Sequence, residues 1–246
     1  MHAMLSVTKR ELGGYFVTPV AYVFIIIFLV LAGATTFAVN LGAFWERGQA
    51  DLDSFFSFHP WLYLFLIPAL SMRLWAEERK GGTLELLMTL PVPTWAAVVG
   101  KYLAAWVFTG LALALTFPLW ITVNQLGTPD NGAIAAAYLG SLLMAGGFLA
   151  IGSMLSATTR SQVIALVLTV VVCAALLFAG ISDVAEFLDG RVPAPVVETV
   201  TRFSFLTRFT EIRRGVIDLR DVVFFFSLIS LSLIANAVIV EAKKAD

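Results

Sequence analysis

Few side chains in this sequence are equipped for chemistry, and those few lie far apart. The histidines are His2 and His59, and the single cysteine, Cys173, sits in an apolar run with no base near it. A side-chain nucleophile needs an activating base within hydrogen-bond reach, and neither Gly-x-Ser-x-Gly nor His-Glu-x-x-His occurs to provide such a pairing. Gly100-Lys101 is followed by Tyr102 and lacks the upstream glycine of a phosphate-binding loop, so the chain does not itself cradle a nucleotide. No catalytic residue, metal-ligand set or resident cofactor is expected. What stands out instead is a wet stretch: Glu77, Glu78, Arg79, Lys80 and Glu85 within nine positions, broken by Gly81-Gly82 and stopped by Pro91.

The elements around that stretch belong to a membrane. Hydrophobic residues make up 59% of the 246, charged residues only 13%, and mean hydropathy is +0.90, far from the roughly 25% charged content of soluble domains. The reading is therefore one all-α polytopic membrane domain over 1–246. A formal net charge of -1 gives no field to attract nucleic acid. Residues 1–19 mix Leu5, Tyr15 and Phe16 with Lys9, Arg10 and Glu11, the pattern of a helix lying along the headgroups. Six transmembrane helices are expected at about 20–40, 54–76, 97–124, 133–156, 162–182 and 222–240. At about 1.5 Å per residue, runs of this length cross a hydrocarbon core of about 30 Å. The second is the least regular, because only 13 uncharged residues separate His59 from Arg73. It has to extend outward through Phe55, Phe56 and Phe58, let Arg73 snorkel, and kink at Pro68. Ala133, Ala137, Ser141 and Ala145 give the fourth span a small-residue face for close helix packing.

Charge sets the orientation. Lys9, Arg10, Arg79, Lys80, Lys101, Arg160, Lys243 and Lys244 all fall on one side of a six-span chain, so both termini are expected in the cytoplasm. Residues 183–221 oppose this, since they would lie outside while carrying six arginines. Seven acidic residues match those arginines, and Phe205, Phe209, Ile212 and Val216 fall on one helical stripe, so a folded interfacial helix ended by Gly215 is expected there. The wet stretch, 77–95, is then a cytoplasmic turn. The glycines break the helix descending from the second span, Thr83 caps a short new one, Glu85 sits in its first turn, and Leu84, Leu87 and Met88 form an apolar knob. On physics alone an ordinary solvated loop with one helical turn fits equally well. The spans carry no ionisable group at mid-depth, which argues against an intramembrane hydrolase and against an ion-coupled secondary transporter.

Several motifs together resemble a family. Glu77-Glu78-x-x-x-Gly82-Thr83-Leu84-Glu85-x-Leu87, with Pro68-Ala-Leu-Ser-Met-Arg-Leu before it and Leu90-Pro91 after it, resembles the signature of the membrane subunits of type-2 ABC exporters. The Lys9-Arg10-Glu11-Leu12 start resembles that family's entry helix, and Gly152-Ser153-Met-Leu-Ser156-x-x-Thr159-x-x-Gln162 its fourth-span exit. Arg214-Gly215-Val216-Ile217-Asp218-Leu219-Arg220-Asp221 is most similar to the gliding-motility (GldF-like) branch. The resemblance implies a dimeric permease of the bacterial inner membrane, paired with itself or a related permease, on two copies of a cytoplasmic ABC ATPase that binds ATP and Mg. It also implies an accessory membrane subunit with an extracytoplasmic domain. By the same resemblance Gly82, Thr83, Leu84, Glu85, Leu87 and Met88 couple to the ATPase, with Thr159 and Arg160 as a smaller contact. Arg73, Glu77 and Glu78 then form the cytoplasmic gate, and Phe205, Phe209, Arg214 and Gly215 the extracytoplasmic one. Two alternatives carry the same features: a mechanotransmitting subunit without a cargo channel, and a non-ABC channel or secondary transporter.

Overall fold

A computed structural model describes residues 2–82, 93–181, 184, 186 and 201–243. The described residues are helical throughout, and four of the helices are long and apolar enough to cross a membrane. We number the helices α1 His2–Val17, α2 Pro19–Phe37, α3 Phe44–Arg47, α4 Asp53–Ser57, α5 His59–Ser71, α6 Arg73–Gly81, α7 Thr94–Ala114, α8 Phe117–Leu126, α9 Asn131–Thr158, α10 Gln162–Phe178, α11 Phe205–Arg213 and α12 Leu219–Ala242.

Helix α9 is the hub. Its glycine and small-residue faces admit neighbours on all sides, and it packs most extensively against α12, then α5, α10, α11 and α7. At Gly140 an added Cβ would stand 2.6 Å from Ile212 of α11, so only glycine permits that approach. Ala137, Ser141 and Ala145 are buried as a small-residue face requires. Ser141 also serves as a polar bridge: its hydroxyl lies 2.8 Å from both His59 Nδ1 and the Tyr63 hydroxyl of α5. Around His59 the interior is filled by Phe28, Phe55, Phe56 and Tyr63. Outward-facing Val23, Ile26 and Val30 of α2, Val167 and Val171 of α10, and Leu231 and Ile234 of α12 are exposed apolar residues suited to lipid or to a second apolar surface.

Several boundaries differ from the sequence reading. The expected third span falls within one apolar stretch long enough to cross a membrane, Thr94–Leu126, but its helix is interrupted: α7 ends at Ala114, Leu115 and Thr116 turn, and α8 restarts with Pro118 in its first turn, where a missing N–H costs nothing. The first span ends at Phe37 rather than 40 and the fifth at Phe178 rather than 182. Phe55 and Phe56 do not extend α5; they lie in the separate helix α4 before it. Pro93 occupies the cap position of α7 without a side-chain bond. Asp130 is a true cap instead, accepting from the Gly132 and Ala133 amides that begin α9. Val216 is 62% exposed, because α11 stops at Arg213 and Gly215 turns the chain with φ +87° before the stripe reaches it.

Candidate functional site: the broken second span and its polar braces

The stretch that leads to the wet segment begins with a break. Pro68 offers no N–H to the carbonyl one turn above it, α5 ends at Ser71, and α6 restarts after Met72. A restarting helix exposes amides in its first turn. Here Ser156, on α9, meets them: its hydroxyl donates to the Met72 carbonyl at 2.8 Å and accepts from the Trp75 and Ala76 amides at 3.2 and 3.1 Å. One donor and two acceptor positions are all that a serine hydroxyl has, so this side chain is saturated by the break it repairs. Ser153, one turn earlier on α9, accepts from Trp75 Nε1 at 3.2 Å and from Asn236 Nδ2 of α12 at 2.8 Å. Arg79 Nη1 donates to the Ala157 carbonyl at 2.9 Å, a cation at a helix C-terminus where the dipole favours it.

A lysine holds the outer side of the same helix. Lys101, on α7, is only 3% exposed, and its Nζ stands 2.8 Å from Glu78 Oε1 and 3.2 Å from Glu11 Oε2. The ammonium also lies over the Trp75 ring at 5.5 Å. Lys101 therefore ties α1, α7 and α6 into one charged junction. Burial alone would raise the Glu11 carboxyl, but the Lys101 ammonium and Arg10 outweigh it and hold the group below the usual carboxylate range. Tyr15, one turn on, is pushed up by burial.

Of the residues expected to gate and couple, the structure brings one set together. Glu78 is in the Lys101 junction, while Arg73 and Glu77 line a cavity beside it. Gly82 closes α6 in the left-handed region at φ +68°, accepting the break predicted for the pair; Gly81 stays helical. Through Arg79 and Ala157 that end of α6 sits against the end of α9, whose Thr159 hydroxyl accepts from the Ser161 amide in the tight turn that also displays Arg160. Gly82 and Thr159–Arg160 thus mark the same end of the molecule. Thr83, Leu84, Glu85, Leu87 and Met88 lie outside the described residues.

At the other end, Phe205 and Phe209 are buried, with Phe205 packed on Phe148 and Phe225. Arg214 is solvent-exposed, and Gly215 supplies only the turn. The charged contacts there are different from those expected. Arg208 Nη1 pairs at 2.7 Å with Asp221, which is fully buried at the start of α12, and Arg213 Nε reaches Asp53 of α4 at 3.3 Å. The second contact puts α11 at the same end as the loop that follows α2. Sequence reasoning missed Lys101, Ser153, Ser156, Asn236 and Asp221 as partners; a lone lysine opening a span and two serines one turn apart were the available signals. Among the described residues no group of three or more His, Cys, Asp or Glu is placed to hold a metal ion.

The profile of the ABC-2 family transporter proteins matches residues 21–242, nearly the whole chain. The chain belongs to the ABC-2 transporter family. Members of this family are membrane permeases, and the four long apolar helices of this ABC-2 protein agree with that class. Heme exporter protein B of Rhodobacter capsulatus is 41% identical over 70 residues, 28% of this chain and 32% of that protein. Heme exporter protein B of Paracoccus denitrificans is 38% identical over 80 residues, 32% of this chain and 37% of that protein. The chain thus matches about a third of the length of these curated relatives.

Proposed function

We propose that this ABC-2 protein is the six-span permease of an ATP-driven complex in the bacterial inner membrane, with both termini cytoplasmic, working as a dimer on two copies of a separate ABC ATPase. The observation that carries this reading is the braced end of α6. Ser156, Ser153, Arg79 and Lys101 bind that short helix to α9, α12, α7 and α1, so any push on Gly82 and the segment after it is passed to four other elements. Closure of the ATPases would press on 83–90 and on the Thr159–Arg160 turn together, and rotate α6 about the break at Met72. The chain contributes no catalysis; ATP and Mg bind on the partner.

The heme exporter relatives make a tetrapyrrole the substrate class to test first. Placement beside the gliding-motility permeases, with an accessory extracytoplasmic subunit, rests on residues 214–221 alone. The second reading, a force-transmitting subunit without a cargo path, is favoured by the aromatic filling around His59, where Phe55 and Phe56 close the bundle interior. Purification from the native membrane decides the class: an ATPase co-purifies and hydrolyses ATP, and alanine at Glu77 and Glu78 together lowers that turnover while the chain stays in the membrane. Recovery of the permease with no ATPase partner would point to a channel or secondary transporter.

A further inference from the structure

A cavity of about 180 Å³ opens where α1 meets α2, with α6 and the end of α5 as its far wall. Its apolar side is Val20, Leu70 and Leu74, and its polar side carries Arg73 and Glu77. Lys101 and Glu11 also border it, but they are committed to each other, and Lys101 to Glu78 as well. Arg73 and Glu77 are not: among the described residues neither has an ion-pair partner, and Arg73 Nε is buried without a hydrogen-bond partner. Their order on the helix serves no local purpose either. A cation in the first turn followed by an anion four residues later is the poorer arrangement for a direct pair and runs against the helix dipole. Two opposite, uncommitted charges facing one cavity with a greasy wall call for a ligand that carries both signs and a tail.

We infer that this cavity binds the headgroup of a zwitterionic phospholipid with a primary amine, its phosphate on Arg73 and its ammonium on Glu77. Side chains four apart on a helix stand about 5–6 Å from each other at Cβ, which suits an ethanolamine phosphate, whose two charges are separated by a short ethylene link. A carboxylate also accepts the N–H bonds of a primary ammonium, which choline cannot donate. With one charge of each sign to offer, the site gives a purely anionic headgroup no advantage. The acyl chain has a path: Val20, Val23 and Ile27 are exposed apolar residues on one face of α2, leading away from the cavity. The placement at headgroup level rests on the proposed topology, while the charge pair and the cavity do not. An occupied site would join α1 and α2 to α6 as a greasy, ion-paired wedge beside the Lys101 junction.

The test uses the purified full chain in detergent micelles, without any ATPase, so that its outcome is independent of the transport reading. A tail-labelled phosphatidylethanolamine is displaced by unlabelled phosphatidylethanolamine, phosphatidylglycerol or phosphatidylcholine, and by tail-less glycerophosphoethanolamine. The expected result is phosphatidylethanolamine competing at least about tenfold better than the other two lipids, with the tail-less headgroup competing weakly, and Arg73→Gln or Glu77→Gln each weakening binding by about tenfold. Gly14, which borders the cavity and has open space beyond its Cα, provides a variant that keeps both charges: Gly14→Leu should also block binding. Phosphatidylglycerol or phosphatidylcholine competing as well as phosphatidylethanolamine, or Glu77→Gln binding like the wild type, overturns the proposal.

Discussion

Lys101 is the residue on which the junction of α1, α6 and α7 turns. Buried between two carboxylates and a tryptophan, it stabilises only while both partners remain; replacing it with methionine leaves Glu11 and Glu78 facing each other in a desolvated site. The expected cost is roughly 3 kcal/mol, read as a fall in the unfolding midpoint of the detergent-purified chain. The same junction gives a pH dependence. Because the folded state holds the Glu11 carboxyl below its unfolded value of about 4.3, its contribution is present above that value and is lost as pH falls through the lower, folded one. Stability should therefore drop on the acid side of pH 4.3, and Glu11→Gln should flatten that drop. Ser156→Ala strips two amides and a carbonyl of their partner, and a loss of about 1–3 kcal/mol is expected by the same measurement. Little of this could be read from residue types. Glu78 and Arg73 stand out in sequence because charges are scarce there, but Lys101 is a lysine at a span boundary, which the headgroups explain well enough, and Ser156 is one small residue in a helix full of them.

At the scale of elements, the proposed transmission runs through the break between α5 and α6 and the glycine at the end of α6. Pro68→Ala restores one backbone bond and should straighten the second span, whereas Gly82→Ala forces a side chain into the left-handed region at φ +68° with nothing nearby for it to strike. The glycine variant should therefore cost only about 1 kcal/mol of stability yet reduce ATP turnover of the assembled complex several-fold, a split that plain destabilisation would not produce. Helix α11 behaves differently. Arg208→Ala leaves Asp221 buried and unpaired, and a loss of roughly 3–5 kcal/mol is expected in thermal unfolding. The long uncharged runs of α2, α9 and α12 announce themselves in sequence, because lipid demands length and leaves no other reading. The third span hides its break, since Pro118 is equally compatible with a kink and with a new helix start, and only packing around Thr116 and Tyr138 decides. The stripe ending in Val216 fails for a related reason: periodicity cannot see that Gly215 has already turned the chain.

Across the whole molecule, the contacts divide into two ends. At one, Arg79 meets Ala157 and Lys101 joins α1 to α6; at the other, Arg213 meets Asp53 and Arg208 meets Asp221. Two of the described arginines in 183–221, Arg208 and Arg213, are thus spent on internal carboxylates. Family membership was legible only through motifs in combination, and the choice of cargo was not legible at all, because apolar walls suit many substrates. The central claim is that the end of α6 presses on a separate ATPase. Lys80, exposed two residues before Gly82, can carry a cysteine in a Cys173→Ala background, since Cys173 is itself buried. With the complex in native membranes, a cross-linker on Lys80→Cys should capture the ATPase subunit, with a yield that changes when ATP is bound. Labelling of the same cysteine by an impermeant reagent from the extracytoplasmic side, or a complex that co-purifies an ATPase yet never cross-links to it, would contradict the account.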